Sequence, residues 1–178
     1  KIVTWNVNSL KVRLAHLLQW LDTNPVDVLC IQETKLTDDK FPVAELNAAG
    51  YQVAFSGQKT YNGVAILSRL PIEDVVRNNP HFDDPQQRLL AATLGGVRFI
   101  CAYVPNGQEV GSDKYAYKMA WLAALQTWVA AEMAAHLLGQ PGPPDTGRRV
   151  EVEDRPDGRE FLVRRSQRAQ RRLIRLHR

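Results

Sequence analysis

The chain has 178 residues, of which 44% are hydrophobic, and it carries a formal net charge of +4. That length and apolar content suit a single domain with a substantial core. No apolar run approaches the roughly 20 residues of a membrane-spanning helix, and the first residues lack the pattern of a secretion signal. We therefore expect a soluble cytoplasmic protein.

The positive charge is confined to the end of the chain. Residues 1–147 carry 12 Lys and Arg against 14 Asp and Glu, whereas residues 148–178 carry 11 Arg against 5 acidic residues. An electrostatic argument for nucleic-acid binding therefore applies only to that last segment.

The chain begins with a strand, a helix and a second strand. Residues 1–7 are rich in β-formers, and leucines at helical spacing predict an amphipathic helix over residues 9–22, capped by Asn8 or Ser9. The run "VDVLCIQ" at residues 26–32 is nearly all apolar, which predicts a strand covered on both faces.

A short helix is predicted over residues 42–49 and ends at Gly50. Four β-rich runs follow: "YQVAFSG", "NGVAILS", "RLLAATL" and "VRFICAYV". The Gly95-Gly96 pair predicts a tight hairpin between the last two of these runs. Apolar residues at helical spacing over residues 113–136 predict a long helix.

The sequence changes character at residues 139–147, where three prolines and three glycines predict a break or linker. Beyond it, the pattern favours a hairpin around residues 156–158 and an Arg-rich helix over residues 164–178. We therefore divide the chain into an α/β part (residues 1–138), the break, and an irregular basic tail (residues 148–178).

The two cysteines, Cys30 and Cys101, lie within apolar, strand-like runs and lack the spacing of metal ligands. Free cysteines of this kind behave as small buried apolar residues. We expect two buried thiols in a reducing compartment.

Polar residues interrupt or follow the first two strands. Glu33 comes directly after the second strand, at the edge where open α/β sheets place their ligands, and a carboxylate there suits a hard cation such as Mg2+. The alternative is a solvated carboxylate. Asn6 and Asn8 could be ligands, orienting hydrogen-bond partners or turn formers.

Two later strands are bordered by similar groups. Tyr61, Asn62 and Gly63 precede one strand, although Asn-Gly is equally an ordinary tight turn. Tyr103 ends another strand and is followed by the loop at residues 105–107, where the aromatic ring could simply cover the loop. None of these motifs is decisive alone.

Taken together and in order, "TWNVNSLKVR", "VDVLCIQETKL", "YNGVAILSR" and "YVPNG" resemble the amino-terminal part of the exonuclease III family of DNA repair nucleases, relatives of deoxyribonuclease I. The resemblance runs from residue 1 to about residue 138. It implies an α/β fold in which helices flank a two-sheet β-sandwich, incomplete in this chain. It also implies hydrolysis of phosphodiesters in duplex DNA, as a 3′ to 5′ exonuclease and an abasic-site endonuclease.

The resemblance also implies roles for individual residues. Glu33 and Asn6 would hold a divalent cation, Mg2+ or Mn2+, and Tyr103 would be the catalytic tyrosine near the scissile phosphate. The residues implied to contact DNA are Lys35, Tyr61, Asn62, Arg88 and Asn106. The implied partner is duplex DNA, especially at abasic sites or 3′ ends, bound by a monomer.

The sequence departs from the family pattern after residue 138. The family continues with Gly-Asp-Phe-Asn and later Ser-Asp-His, but here Gly139 is followed by Gln-Pro-Gly and no Ser-Asp-His occurs. The four histidines are poor substitutes, and loss of a general base typically costs about 10²- to 10⁴-fold in rate. We therefore do not expect full activity from this chain, and a catalytically incompetent module that binds DNA or a partner is the alternative. A phosphatase acting on a small phosphoester is a third reading.

Three hypotheses account for the tail. The switch from mixed Lys and Arg to Arg alone suggests translation from a shifted frame. A genuine basic tail could instead grip phosphates without sequence preference, and a solvated, partly disordered tail is the simplest reading.

Overall fold

The computed structural model describes residues 1–138, 148–154 and 161–167. Their strands are β1 (Ile2–Asn6), β2 (Val28–Gln32), β3 (Gln52–Ser56), β4 (Val64–Ser68), β5 (Ile72–Arg77), β6 (Leu89–Leu94), β7 (Val97–Ala102), β8 (Arg148–Asp154) and β9 (Phe161–Gln167). Their helices are α1 (Leu10–Thr23), α2 (Val43–Ala48) and α3 (Asp113–Leu138), with a short 3-10 turn at Asp38–Lys40.

The first sheet has the strand order β3-β4-β2-β1-β9-β8. β1 and β2 run parallel, with Ile2 opposite Val28, and α1 makes the crossover that a parallel pair requires. β4 runs antiparallel to both β2 and β3. The beginning of β4 therefore lies beside the end of β2.

The second sheet has the order β5-β6-β7 and is antiparallel throughout. β6 and β7 are joined by Gly95 and Gly96, whose φ angles of 56° and 75° suit the predicted two-residue hairpin. β5 was not predicted, because Glu73 and Asp74 break its apolar pattern and the pairing shifts register between Glu73 and Val76.

The two sheets pack face to face, as the sandwich prediction requires. One buried cluster joins residues of the first sheet, among them Val28, Cys30 and Ile66, to residues of the second, among them Leu90 and Cys101. Both thiols are buried, which confirms that part of their prediction, whereas the reducing compartment stays a prediction.

The helices cover the outer faces of the sandwich. α1 buries Leu10, Leu17 and Leu21 in a cluster with side chains of the first sheet. α3 buries Trp121 and Trp128 against the second sheet. The result is a helix–sheet–sheet–helix arrangement that confirms the predicted fold class. Within the described parts of the chain, no helix has the length and apolar character needed to span a membrane.

Two local predictions need correction. Ser9 occupies the position before α1, but neither it nor Asn8 caps the helix through a side-chain hydrogen bond. Residues 164–167 belong to β9 rather than to a helix, because β9 pairs antiparallel with β8 and with β1. The antiparallel β8–β9 pair agrees with the predicted hairpin, whereas its turn, the break at 139–147 and the rest of the predicted helix lie outside the described residues.

Candidate active site

The site lies where several strands of both sheets end or begin. The parallel strands β1 and β2 end at one edge, and the antiparallel strand β4 begins there. In the second sheet β7 ends beside the beginning of β6. This topology brings together Asn6, Glu33, Gly63, Arg88 and Tyr103, which lie far apart along the chain.

The segment of residues 33–35, directly after β2, is held between two neighbouring loops. Its backbone accepts hydrogen bonds from the first residue of α1 and the residue before it, and donates hydrogen bonds to the loop before β4. These bonds run from Ser9 N to Glu33 O (2.8 Å), Leu10 N to Thr34 O (3.0 Å), Thr34 N to Gly63 O (3.1 Å) and Lys35 N to Asn62 O (3.0 Å). The backbone beneath Glu33 is therefore fixed from both sides.

The same segment adopts strained backbone conformations. Glu33 and Lys35 have φ angles of 58° and 53°, in the left-handed region that non-glycine residues rarely occupy. Gly63, at φ 82°, lies so close that an added Cβ would be 2.1 Å from Thr34 Oγ1. Strain of this kind persists only where the surroundings enforce it, as the four backbone hydrogen bonds do here.

The carboxylate of Glu33 accepts hydrogen bonds from three side chains. Asn6 Nδ2 and Tyr103 OH both donate to Oε1 at 2.8 Å. Lys35 Nζ lies 3.0 Å from Oε2 and also donates to Asn8 Oδ1 at 2.6 Å. Asn6 and Asn8 thus make hydrogen bonds of the kind expected of orienting partners, one of the roles left open by the sequence.

These contacts set the protonation of the site. Burial of Glu33 opposes its ionisation, but the hydrogen bonds from Asn6, Tyr103 and Lys35 outweigh it and lower the pKa of the carboxyl group. Burial and the neighbouring Glu33 carboxylate raise the pKa of Tyr103. Near neutral pH the pair is therefore an ionised carboxylate beside a protonated phenol.

A cleft of about 540 Å³ opens over this pair. Seven of the eight residues singled out from the sequence line it: Glu33, Lys35, Tyr61, Asn62, Arg88, Tyr103 and Asn106. The eighth, Asn6, is exposed beside the cleft and donates a hydrogen bond to Glu33. The structure thus brings the whole predicted set together, although its roles stay proposals.

Arg88 is held against Tyr103. Its guanidinium carbon lies 4.7 Å from the centre of the Tyr103 ring, and its Nε and Nη2 donate to Gln86 Oε1 at 3.1 and 2.8 Å. A guanidinium over an aromatic face is attracted by the electron-rich ring. The cleft therefore presents an oriented cation next to the phenol.

The sequence prediction missed several cleft residues, among them Gln58, Gln86, Gln108, Lys114 and Tyr117. The Tyr117 hydroxyl donates to Asp84 Oδ2 at 2.8 Å, and burial together with that carboxylate raises the pKa of Tyr117 to about 12. Glutamines carry no pattern that separates a site from a surface. Lys114 and Tyr117 could have been found, because a three-residue spacing at the start of a helix places both on one face.

The donor set at Glu33 fits a hard divalent cation only in part. Mg2+ commonly takes one or two carboxylates and completes its shell with waters and substrate phosphates. Glu33 offers one carboxylate and Asn6 an adjacent amide, while Lys35 competes for Oε2 at 3.0 Å. Among the described residues there is no group of three His, Cys, Asp or Glu that could hold a metal ion by itself. The site therefore suits a cation whose remaining ligands come from outside these residues.

The chain is similar in sequence and in fold to known proteins. A family model described as the endonuclease/exonuclease/phosphatase family matches residues 3–174. Exodeoxyribonuclease III of Haemophilus influenzae is 30% identical over 138 residues, which cover 74% of this chain and 52% of that protein.

Two solved structures resemble the fold closely. A 3′ phosphatase (NExo) from Neisseria, bound to product DNA hairpin, is 47% identical with a TM-score of 0.74, covering 85% of this chain and 55% of that one. An AP endonuclease from Archaeoglobus fulgidus is 42% identical with a TM-score of 0.71, covering 73% of this chain and 51% of that one. The chain thus spans about half the length of the proteins it matches.

Proposed function

The chain belongs to the endonuclease/exonuclease/phosphatase family, and we propose that its cleft binds duplex DNA and serves divalent-cation-dependent hydrolysis of DNA phosphodiesters. The observation that carries the proposal is the ionised Glu33, oriented by Asn6 and Tyr103 beneath a cationic cleft. The names of the relatives, an exodeoxyribonuclease III, a 3′ phosphatase and an AP endonuclease, support a phosphoester of DNA as the bond attacked.

Glu33 is the residue that would hold the cation, with Asn6 beside it. A divalent cation there supplies charge neutralisation on the phosphoryl oxygens, the largest electrostatic demand of phosphodiester hydrolysis. We propose Mg2+ or Mn2+, because a carboxylate and an amide oxygen are hard ligands that suit both ions.

Tyr103 is the proposed catalytic residue. Its raised pKa keeps the phenol protonated, so its proton can be donated to a phosphate oxygen in place of Glu33. Arg88, 4.7 Å from the ring, adds positive charge beside that donor.

DNA binding would use the cationic and amide groups around the cleft. Lys35 and Arg88 offer charge for the phosphate backbone, and Asn62 and Asn106 offer hydrogen bonds. Tyr61 is 67% exposed at the cleft, where its ring can contact the sugar or a base. We propose that abasic sites and 3′ ends are the positions attacked, in line with the names of the relatives, and that the chain acts as a monomer.

A binding module without turnover is the second candidate. The observation that favours it is the supply of oriented cations and amides, because these suffice for binding, whereas hydrolysis also needs a group that activates water. In the part of the chain that the structure describes, Glu33 is the one carboxylate lining the cleft, and it is engaged by three donors.

A cleavage assay on an abasic-site duplex distinguishes the nuclease from the binding module. The hydrolytic candidate predicts cleavage that requires Mg2+, stops with chelator and is abolished by Glu33→Gln, because the amide cannot supply a charged ligand. Glu45→Gln, which removes an exposed carboxylate on α2, should cleave like the wild type. Gel analysis of the products measures cleavage, and fluorescence anisotropy measures binding.

Binding without cleavage would favour the module. Cleavage by Glu33→Gln at the wild-type rate would contradict the assignment of the cation to Glu33. A wild-type chain that neither binds nor cleaves the duplex would overturn both candidates.

A further inference from the structure

Gln86 connects two of the proposed DNA contacts through one atom. Its side-chain oxygen accepts hydrogen bonds from Arg88 Nε at 3.1 Å and Nη2 at 2.8 Å, and from Asn62 Nδ2 at 3.1 Å. Arg88 precedes β6 and Asn62 precedes β4, so the contact joins the two sheets across the cleft. Movement of Gln86 would therefore displace both side chains.

Gln86 is itself fixed by its surroundings. Its backbone amide donates to Asp84 Oδ1 at 2.9 Å, and the other oxygen of Asp84 accepts the Tyr117 hydroxyl at 2.8 Å. Asp84 is only 8% exposed, and its backbone carbonyl accepts a hydrogen bond from Asn78 Nδ2 at 3.2 Å. The loop that carries Gln86 is thus tied to α3.

The chemical type of the acceptor decides how much charge Arg88 presents. A guanidinium is commonly oriented by a carboxylate through two parallel hydrogen bonds, which largely neutralises its charge. Gln86 makes the same two-nitrogen contact with a neutral oxygen, and the salt bridges found among residues 1–135 do not include Arg88. The guanidinium is therefore oriented while its positive charge remains available.

We infer that Gln86 is a positioning residue that aims Arg88 at a DNA phosphate without neutralising it. The inference rests on the proposed function of the cleft. It makes Gln86 a determinant of affinity for the phosphate backbone, although its own side chain is uncharged.

Two substitutions at Gln86 separate charge from geometry. Gln86→Glu keeps an acceptor oxygen and the side-chain shape, but it replaces the amide nitrogen with a second oxygen and adds a negative charge. Gln86→Met keeps the length and removes the acceptor. Gln87→Glu is the matched control, because it adds the same charge one residue away on a side chain that bonds to Ser56 rather than to Arg88.

The readout is duplex affinity by fluorescence anisotropy across a salt series in chelator. We expect Gln86→Glu to bind roughly tenfold more weakly at low salt, with a salt slope smaller by about 1, since one phosphate contact is lost. Gln86→Met should lose less affinity and keep a slope near that of the wild type. Gln87→Glu should keep the wild-type slope.

A merely structural role predicts the opposite order, because Gln86→Glu preserves the hydrogen bonds and Gln86→Met removes them. Wild-type affinity and slope in Gln86→Glu would therefore overturn the inference. Thermal unfolding of each variant shows that the comparison is made on folded protein.

A second readout keeps the inference separate from the proposed function. If the wild type binds no duplex, the proposed function fails, and inorganic phosphate then serves as the probe. We expect phosphate to shift the Arg88 Nε–H nuclear magnetic resonance signal, identified by its loss in Arg88→Lys, in the wild type but not in Gln86→Glu. The same shift in both proteins, or none in the wild type, would overturn the inference.

Discussion

At the scale of single residues, the behaviour of Glu33 depends on donors that are remote in sequence. The hydrogen bond from Tyr103 spans 70 positions of the chain and that from Asn6 spans 27. The motifs that contain these residues could be recognised from the sequence, because each borders an apolar run. The meeting of two donors on one carboxylate oxygen could not, since it depends on how the sheets pack.

Tyr103→Phe should raise the pKa of Glu33. The substitution removes one of the hydrogen bonds that favour the ionised form, so the burial of Glu33, which raises its pKa, is opposed less strongly. Nuclear magnetic resonance of the metal-free protein, following the Glu33 carboxyl carbon against pH, measures the change. Tyr115→Phe is the control, because none of the hydrogen bonds to Glu33 comes from Tyr115.

The sign of the accompanying stability change follows from the lowered pKa. Glu33 contributes stability that is fully present above its unfolded pKa of about 4.3 and is lost as the pH falls through its lower folded value. Tyr103→Phe should shrink this contribution. An unchanged Glu33 titration in Tyr103→Phe would contradict the hydrogen-bond explanation.

Gly63→Ala should destabilise the fold by about 2 to 4 kcal/mol, because the new Cβ meets Thr34 Oγ1 at 2.1 Å and the residue has a φ of 82°. Urea unfolding followed by tryptophan fluorescence gives the free energy. Thr34→Ala in the same chain should recover part of the loss, because it removes the obstructing oxygen. A Gly63→Ala protein as stable as the wild type would show that residues 33–35 can move.

At the scale of helices and strands, apolar periodicity predicted several elements correctly. It placed α1, β2 and α3 near their observed bounds, and the Gly95-Gly96 pair correctly marked the β6–β7 hairpin. β5 was not predicted, because acidic residues at its register shift interrupt the apolar pattern. The face-to-face packing of the two sheets was predicted from the family resemblance, because periodicity shows that a strand is buried but not what covers it.

The thiols of β2 and β7 can test whether the two sheets pack face to face. Cys30 and Cys101 are 9% and 1% exposed between the sheets. The neighbouring Cys101 thiol and burial raise the pKa of Cys30 well above its ordinary range. We expect neither thiol to react with Ellman's reagent in the native protein and both to react after unfolding.

Val110→Cys is the positive control for this experiment, because residue 110 is 83% exposed and its thiol should react at once. The reaction is followed by absorbance with and without denaturant. Rapid labelling of the wild type under native conditions would show that the sheets separate easily or do not face each other as described.

At the scale of the whole molecule, the chain spans about half the length of its relatives, yet the predicted cleft is assembled within it. The sequence indicated which residues meet at the cleft but not how β9 would be placed beside β1. The pattern of residues 161–167 is mixed in charge and polarity, so the pairing of β9 with β1 follows from contacts that no local rule describes.

The outer edge of the second sheet gives a prediction at this scale. Among the described residues, β7 pairs with β6 alone, so every second backbone amide of residues 97–102 points away from a partner strand. Hydrogen exchange should therefore alternate along β7, with fast and slow amides, whereas central β6 is protected throughout. Uniform protection along β7 would show that another segment pairs with this edge.

The cleft draws all of its lining from residues 33 to 117. During synthesis, this surface can consequently form as soon as the first turns of α3 have left the ribosome, before the basic tail has emerged. A nascent polypeptide arrested once α3 has left the ribosome would already carry the groove, which makes ribosome-bound chains a natural preparation for watching it assemble.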